Sequence, residues 1–250
     1  MNENILRKVQ IVCAWCGPAF VLLYGISWCI LGHNYPPPDP QYSAVDLVNN
    51  YYLKYRSDIM LGQALSTCLG MLYLPWACQL TAMMWEREKN HILSLLQLTG
   101  GLLTAWVLVI CPALWVWCAE MAGSIDPVMI KSVHFMAWYT YDMTYMITTI
   151  EVIAICIFAF LDKQKPTIVP RWAGVLALFS GLSFLPITFL PYFKTGIFAL
   201  NGYWSFHVAF ITYALFTVVI GYYMAQNLKK TKIPASPGMA QAVSYKSSSR

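Results

Sequence analysis

Apolar residues run through this chain in six long stretches: Ile11 to Leu31, Ile59 to Trp85, Leu93 to Cys118, Val133 to Leu161, Trp172 to Leu190 and Tyr203 to Gln226. Short polar segments separate them, and each stretch is close to or above the ~20 residues that a helix needs to cross a hydrocarbon layer. The pattern predicts an all-α fold, a polytopic bundle of six transmembrane helices. These fill one domain over 1–232, and the remaining 233–250, rich in Ser, Ala and Pro, has the composition of a disordered tail.

The connections carry their own signals. Gly32 to Pro40 holds Pro36, Pro37, Pro38 and Pro40, and consecutive prolines fix φ and lack amide donors, so this stretch is extended. Ser43 followed three residues later by Asp46 marks a helix start, and Ala44, Val48, Tyr51 and Tyr55 recur at helical spacing. A short amphipathic helix at the outer interface is expected there, its tyrosines suited to the boundary between acyl chains and water. Glu86 to His91 reads as a tight charged turn that makes the second and third spans antiparallel neighbours. The loop from Pro191 to Gly202 is apolar for a loop and is expected to pack over the bundle or enter the headgroup layer.

Composition agrees with the pattern. Hydrophobic residues make up 58% of the chain and charged residues 11%, against about 25% charged in an ordinary soluble domain. The net charge of +5 does not point to nucleic acid, because Lys and Arg gather on the cytoplasmic ends of spans. Arg7, Lys8, Arg87, Lys89, Lys163, Lys165, Arg171, Lys229, Lys230, Lys232, Lys246 and Arg250 fall on one side, and Lys54, Arg56, Lys131 and Lys194 on the other. Both termini are therefore expected in the cytoplasm and the protein in the inner membrane. The first apolar run exceeds the ~7–15 residues of a signal-peptide core and is expected to stay as a span. The cysteines lie in or at the edges of spans, where a thiol acts as a small hydrophobe. Only Cys29 and Cys118 are placed where they could pair in an oxidising compartment.

Ionisable groups inside a bilayer cost about 2.5–3.5 kcal/mol each on insertion scales and are functional candidates by default. The fourth stretch holds His134, Asp142 and Glu151. On an unbroken helix His134, Trp138, Asp142, Tyr145 and Thr149 share one face, while Thr140, Thr144, Thr148 and Glu151 form a second, roughly opposite. Asp142 is expected near the outer interface, within reach of water. Glu151 lies about 15 Å of helix rise from Leu161 and cannot escape, so without a cation it carries a proton. It is read either as neutral glue between helices or as a proton-carrying or ligand-binding carboxyl. His207, near the start of the sixth stretch, completes a candidate ligand-binding set of His134, Asp142, Tyr145, Glu151 and His207. Two histidines and one carboxylate spread over two helices do not have the spacing of a helical metal motif, so no metal is assigned. Cys13-Ala14-Trp15-Cys16 lacks the βαβ context of a redox pair. Trp76, Trp85, Trp117, Trp138, Trp172 and Trp204 are read as interfacial belts. No phosphate loop, nucleophile elbow or nucleotide motif is present, and no cofactor is implied.

The strings Pro170-Arg171-Trp172-Ala173-Gly174, Phe184-Leu185-Pro186 and Phe193-Lys194-Thr195-Gly196-Ile197-Phe198-Ala199-Leu200-Asn201-Gly202 resemble an uncharacterised family of bacterial integral membrane proteins. That family also has a proline-rich stretch and an amphipathic helix after its first span. The resemblance covers Gly32 to about Tyr213 and brings no activity with it. It implies weight for an outer-loop motif of Lys194, Thr195, Gly196, Asn201 and Gly202, since exposed loops carry function more often than packing positions do. The leading expectation is a non-enzymatic protein that binds or passes a small apolar or amphipathic molecule through a cavity lined by the fourth and sixth spans. An intramembrane enzyme using Glu151 or Asp142 on a lipid-like substrate is the alternative, and a structural subunit the third. The partners left open are membrane lipid, a small apolar ligand, and further subunits, identical or different.

Overall fold

The protein is described from a computed structural model over residues 3–230; the expectations for the tail and for Lys232, Lys246 and Arg250 lie outside the described residues. Six helices are long and apolar enough to cross a membrane: Glu3–Leu31, Arg56–Trp85, Ile92–Met121, Pro127–Leu161, Arg171–Phe189 and Tyr203–Lys230. They are the first to sixth spans below. Several extend beyond the apolar runs because backbone hydrogen bonding continues into polar turns such as Glu3 to Gln10. No strand occurs among the described residues, and the chain is an integral membrane protein.

Each span packs on the next in sequence, and the sixth packs on the first. Alternating direction with sequential packing makes a closed ring of antiparallel helices. Glu3 and Lys230 stand at one end, the terminal end; the end bearing Leu31, Arg56, Met121 and Pro127 is the distal end. Small residues set the close contacts of the ring. A Cβ at Gly174 would stand 2.7 Å from that of Ala159, and one at Gly181 2.5 Å from Val152 Cγ2, where the fourth and fifth spans meet. One at Gly221 would stand 2.6 Å from Pro18 Cδ, where the sixth meets the first. In lipid such contacts replace hydrophobic burial as the source of helix association.

The interior is aromatic. Trp76, Trp115 and Trp138 are fully or almost fully buried, which corrects the reading of Trp76 and Trp138 as belt residues; Trp85 and Trp172 are exposed as belts require. A ring of six helices leaves an axis wider than aliphatic side chains fill, and large flat side chains occupy it. Trp28 is at its centre, stacked on Tyr141 with centroids 5.1 Å apart and within 5.6 Å of Phe210.

Regular helix fails at specific places. Pro75 is preceded by a 3-10 turn at Gly70–Leu72, and Pro186 lies in a 3-10 turn at Leu185–Phe189, each proline removing one amide donor. Wide π turns occupy Ile26–Leu31, Val48–Leu53 and Tyr203–Val208. The fourth span breaks between Met143 and Met146.

At the distal end the short helix appears as expected, starting at Ala44 with Ser43 as its cap, whose side chain accepts from the Asp46 amide. It does not merely lie at the interface. Leu47, Val48, Tyr51 and Tyr52 are buried against Ile59, Cys118, Ala119 and Ile130 in a second small core. The fourth span makes this core possible: its 35 residues exceed the ~20 that the bilayer needs, so its first turns project outward and give the cap a wall. Tyr51 donates to the carbonyls of Gly32 and His33, which ties the proline-rich stretch down. All eight cysteines are free; Cys118 is directed to the Ile130 carbonyl.

Candidate functional site

Two spaces in the distal half share a wall. The larger, about 200 Å³, lies between the first and sixth spans and is walled by aromatic side chains that include Phe20, Tyr24, Trp28, Tyr141, Phe206 and Phe210, with Gly25, Tyr35, Leu108, His207 and Tyr213 among the other lining residues. The smaller, about 50 Å³, adds Thr104, Thr144, Tyr145 and Thr148 and is bounded by Leu108, Tyr141, Phe210 and Tyr213 in common with the first. Sequence and backbone explain why the larger space exists. The first span turns into a π segment at Ile26 and the sixth begins as one at Tyr203, and a wider turn shifts side chains out of the register that packs two α-helices together. Gly25 sits at this point, and a Cβ there would meet nothing within 4 Å.

The hydroxyls at the wall are mostly satisfied. Tyr24 donates to the Leu108 carbonyl at 3.2 Å and stands 3.3 Å from the Tyr141 hydroxyl. Thr104 and Thr148 pair at 2.8 Å, and Tyr145 pairs with Thr188. Trp28 Nε1, His207 Nδ1 and the Tyr213 hydroxyl are buried at this wall without a hydrogen-bond partner, so the larger space offers an occupant a mainly aromatic, apolar surface with a few unpaired polar atoms.

The five candidates for ligand binding do not form one cluster. Tyr145 lines the smaller space and His207 the larger, His207 stacking on Tyr203 at 5.4 Å. His134, Asp142 and Glu151 line neither. His134 is buried in the distal cap, its Nδ1 2.7 Å from the Tyr52 hydroxyl. Burial above all, with Cys118 and Tyr51 nearby, pushes the Tyr52 phenol well above its ordinary range, so the hydroxyl keeps its proton, and the His134 tautomer sets which of the two donates. Asp142 is 4% exposed; it does not reach water as expected, and its Oδ1 has no hydrogen-bond partner. No hydrogen bond joins any two of His134, Asp142, Glu151 and His207, and no group of three metal-ligating side chains occurs among the described residues.

Glu151 is fully buried, at 0% exposure. Its Oε2 accepts from the Tyr73 hydroxyl at 3.0 Å and its Oε1 from Gln97 Nε2 at 3.2 Å; Gln97 in turn accepts from Thr81 at 2.5 Å. Gly100 and Gly101 open the third span for it: a Cβ at Gly100 would stand 2.6 Å from the Glu151 Cβ, and one at Gly101 3.2 Å from Oε1. The two carboxyls are nine residues apart, so an unbroken helix would turn them to opposite sides. The break after Met143 removes that constraint, and both are buried.

The outer-loop motif is exposed at Lys194, Thr195, Gly196 and Asn201, with Gly202 buried. Lys194 Nζ donates to the Tyr139 hydroxyl at 3.3 Å. Gly196 has φ of +88°, a conformation that favours glycine. A Cβ at Gly202 would stand 2.5 Å from the Ile197 carbonyl, so these glycines are explained by the turn itself.

Sequence reasoning did not find Tyr73, Gln97 or the cavity wall. Gln97 and the pair Gly100-Gly101 were the available signal, an amide and two small residues one turn apart in an otherwise apolar stretch. Nothing in periodicity marked Trp28, Phe206 or Phe210. No family model, no curated protein and no solved structure matches this chain.

Proposed function

We propose that this protein binds a small apolar molecule in the aromatic cavity between its first and sixth spans, as a carrier or receptor within the membrane and not as an enzyme. The observation that carries the reading is the cavity itself: about 200 Å³ walled by eight Phe, Tyr and Trp side chains, where close packing is the rule for protein interiors. Such a space is apolar, concave and fitted with few polar groups, as ligand sites are. Its place between two spans gives a membrane-dissolved molecule a short path. The enzyme alternative needs at least two polar groups converging on one substrate atom, and Glu151 and Asp142 have no shared neighbour of that kind. The basic residues at the terminal end support an orientation with that end in the cytoplasm, hence a place in the inner membrane, with Lys194 among the few cations toward the outer leaflet.

Tritiated naphthalene tests the reading. Nanodiscs containing the protein are expected to take up about one equivalent above matched empty discs. Gly25→Leu is expected to remove most of that uptake without loss of fold, because the new side chain enters open space at a helical position where glycine is the poorer former. Uptake equal to that of empty discs, or unchanged in Gly25→Leu, overturns the proposal.

A further inference from the structure

Among the described residues, the carboxyl of Glu151 is the one acid in the bundle interior held by two donors from other spans, and the cavity does not explain it. Tyr73 binds it from the second span and Gln97 from the third, and Gly100 and Gly101 leave it room. Neither Lys, Arg nor His stands among these partners. An amide and a phenol stabilise a carboxyl in either protonation state, whereas a buried carboxylate without a counter-ion is costly. The site therefore suits a proton that is held and exchanged.

Its connection to the cavity is structural. The Tyr73 ring stacks on Tyr213 with centroids 5.9 Å apart at 22° and meets Phe20 edge-on at 5.5 Å; Tyr213 and Phe20 both line the larger space. The Tyr73 hydroxyl grips Glu151 while its ring supports the cavity wall. Toward the terminal end, Gln97 and the buried Ser94 lie one turn apart on the third span, and Ser94 is bound by Glu88, whose carboxylate also accepts from the Leu93 and Ser94 amides. Glu151, Gln97, Ser94 and Glu88 thus follow one another toward the terminal end, in two hydrogen-bonded groups.

We propose that Glu151 is a proton-binding site coupled through Tyr73 and Tyr213 to occupancy of the aromatic cavity. This rests on the binding reading above. The step is simple: a proton from water adds to one carboxylate oxygen, and no other bond changes. When the carboxyl is neutral the interior stays dry and an apolar occupant is favoured. When it is ionised it tightens on Tyr73 and draws water, which competes with that occupant. Reciprocity then requires that filling the cavity favours the proton. The groups facing Glu151 are Tyr73 from the second span and Gln97 and Thr104 from the third, with Tyr213 of the sixth behind Tyr73. Asp142, the other acid of its span, shares none of these partners.

The experiment measures tritiated naphthalene affinity in nanodiscs carrying the full chain from mildly acid to alkaline pH. Affinity in the wild type is expected to fall about fivefold, the lower range of measured coupling between sites, and Glu151→Gln to remain flat. Tyr73→Phe, which keeps the ring and loses the hydroxyl, is expected to bind with a weakened pH dependence. Infrared difference spectra of Asp142→Asn, in which Glu151 is the remaining buried acid of the fourth span, are expected to show a carboxylic carbonyl band that shifts when naphthalene is added, and this decides the matter where Glu151→Gln does not fold. Binding that ignores pH, a dependence that survives in Glu151→Gln, or a band indifferent to naphthalene overturns the coupling and leaves the cavity reading standing. Absence of naphthalene binding overturns both.

Discussion

Single residues in this bundle are set by how closely two backbones approach. Gly100 shows this most directly, because a methyl group there would stand 2.6 Å from the Glu151 Cβ and 2.9 Å from the Ile147 carbonyl oxygen. Neither atom can move without its helix, so Gly100→Ala is expected to cost about 1–3 kcal/mol, read as a lowered thermal midpoint in detergent. Gly25→Ala, where a methyl group meets nothing, is expected to be neutral or slightly stabilising in the same assay. The expense of Glu151 was legible in the sequence because one acid in an apolar run is visible against its background. Its partners were not, since Tyr73 and Gln97 are 78 and 54 residues away along the chain and only packing selects them. The same limit explains Trp76 and Trp138: a tryptophan near the end of an apolar run has the same local pattern whether it faces headgroups or the bundle axis.

At the scale of elements, the spans and the short distal helix were readable and their interruptions were only partly so. Proline alone does not locate them: Pro75 and Pro186 accompany 3-10 turns, whereas Pro18 and Pro112 lie inside continuous helices. The break between Met143 and Met146 has no proline or glycine, and the threonines around it gave the only hint: Thr144 donates back to the Thr140 carbonyl, a habit that loosens helices. The turns at the terminal end are joined by Arg87, which follows the second span and pairs with Asp162 after the fourth at 2.6 Å while donating to the Pro166 carbonyl. Asp162 is almost wholly shielded from solvent and Arg87 largely so. Arg87→Met leaves that carboxylate without a counter-charge and is expected to cost about 3 kcal/mol, with Asp162→Asn in the Arg87→Met background recovering part of the loss. Chemical denaturation of the single and double variants checks it.

For the molecule as a whole, alternation of direction and the surplus of Lys and Arg at one end support the proposed cytoplasmic terminal end, and that topology can be tested directly. A fluorescent protein joined after Lys230 is expected to fluoresce, and alkaline phosphatase inserted between Gly123 and Ser124, in the exposed turn after the third span, is expected to be active. The reverse result would invert the bundle in its membrane. Order around the ring was not legible from apolar runs, because six amphipathic rods can be arranged in many ways and the sequence states only which are consecutive. Packing of small residues chose among them, as at Gly221 against Pro18 and Ala14.

That last contact has a consequence for how the chain can be cut. The first and sixth spans lie side by side, and Glu3 and Leu6 share a surface hollow with Asn227 and Leu228, so the two ends of the described chain are neighbours. A short linker from Lys230 back to Glu3 would make the polypeptide a circle, and reopening it between Lys89 and Asn90, both exposed, would give a circular permutant whose new ends emerge on the same side as the old. Insertion order during synthesis would then begin from what is now the third span, and recovery of the same bundle would show that the ring, not the order in which its members enter the bilayer, specifies the architecture.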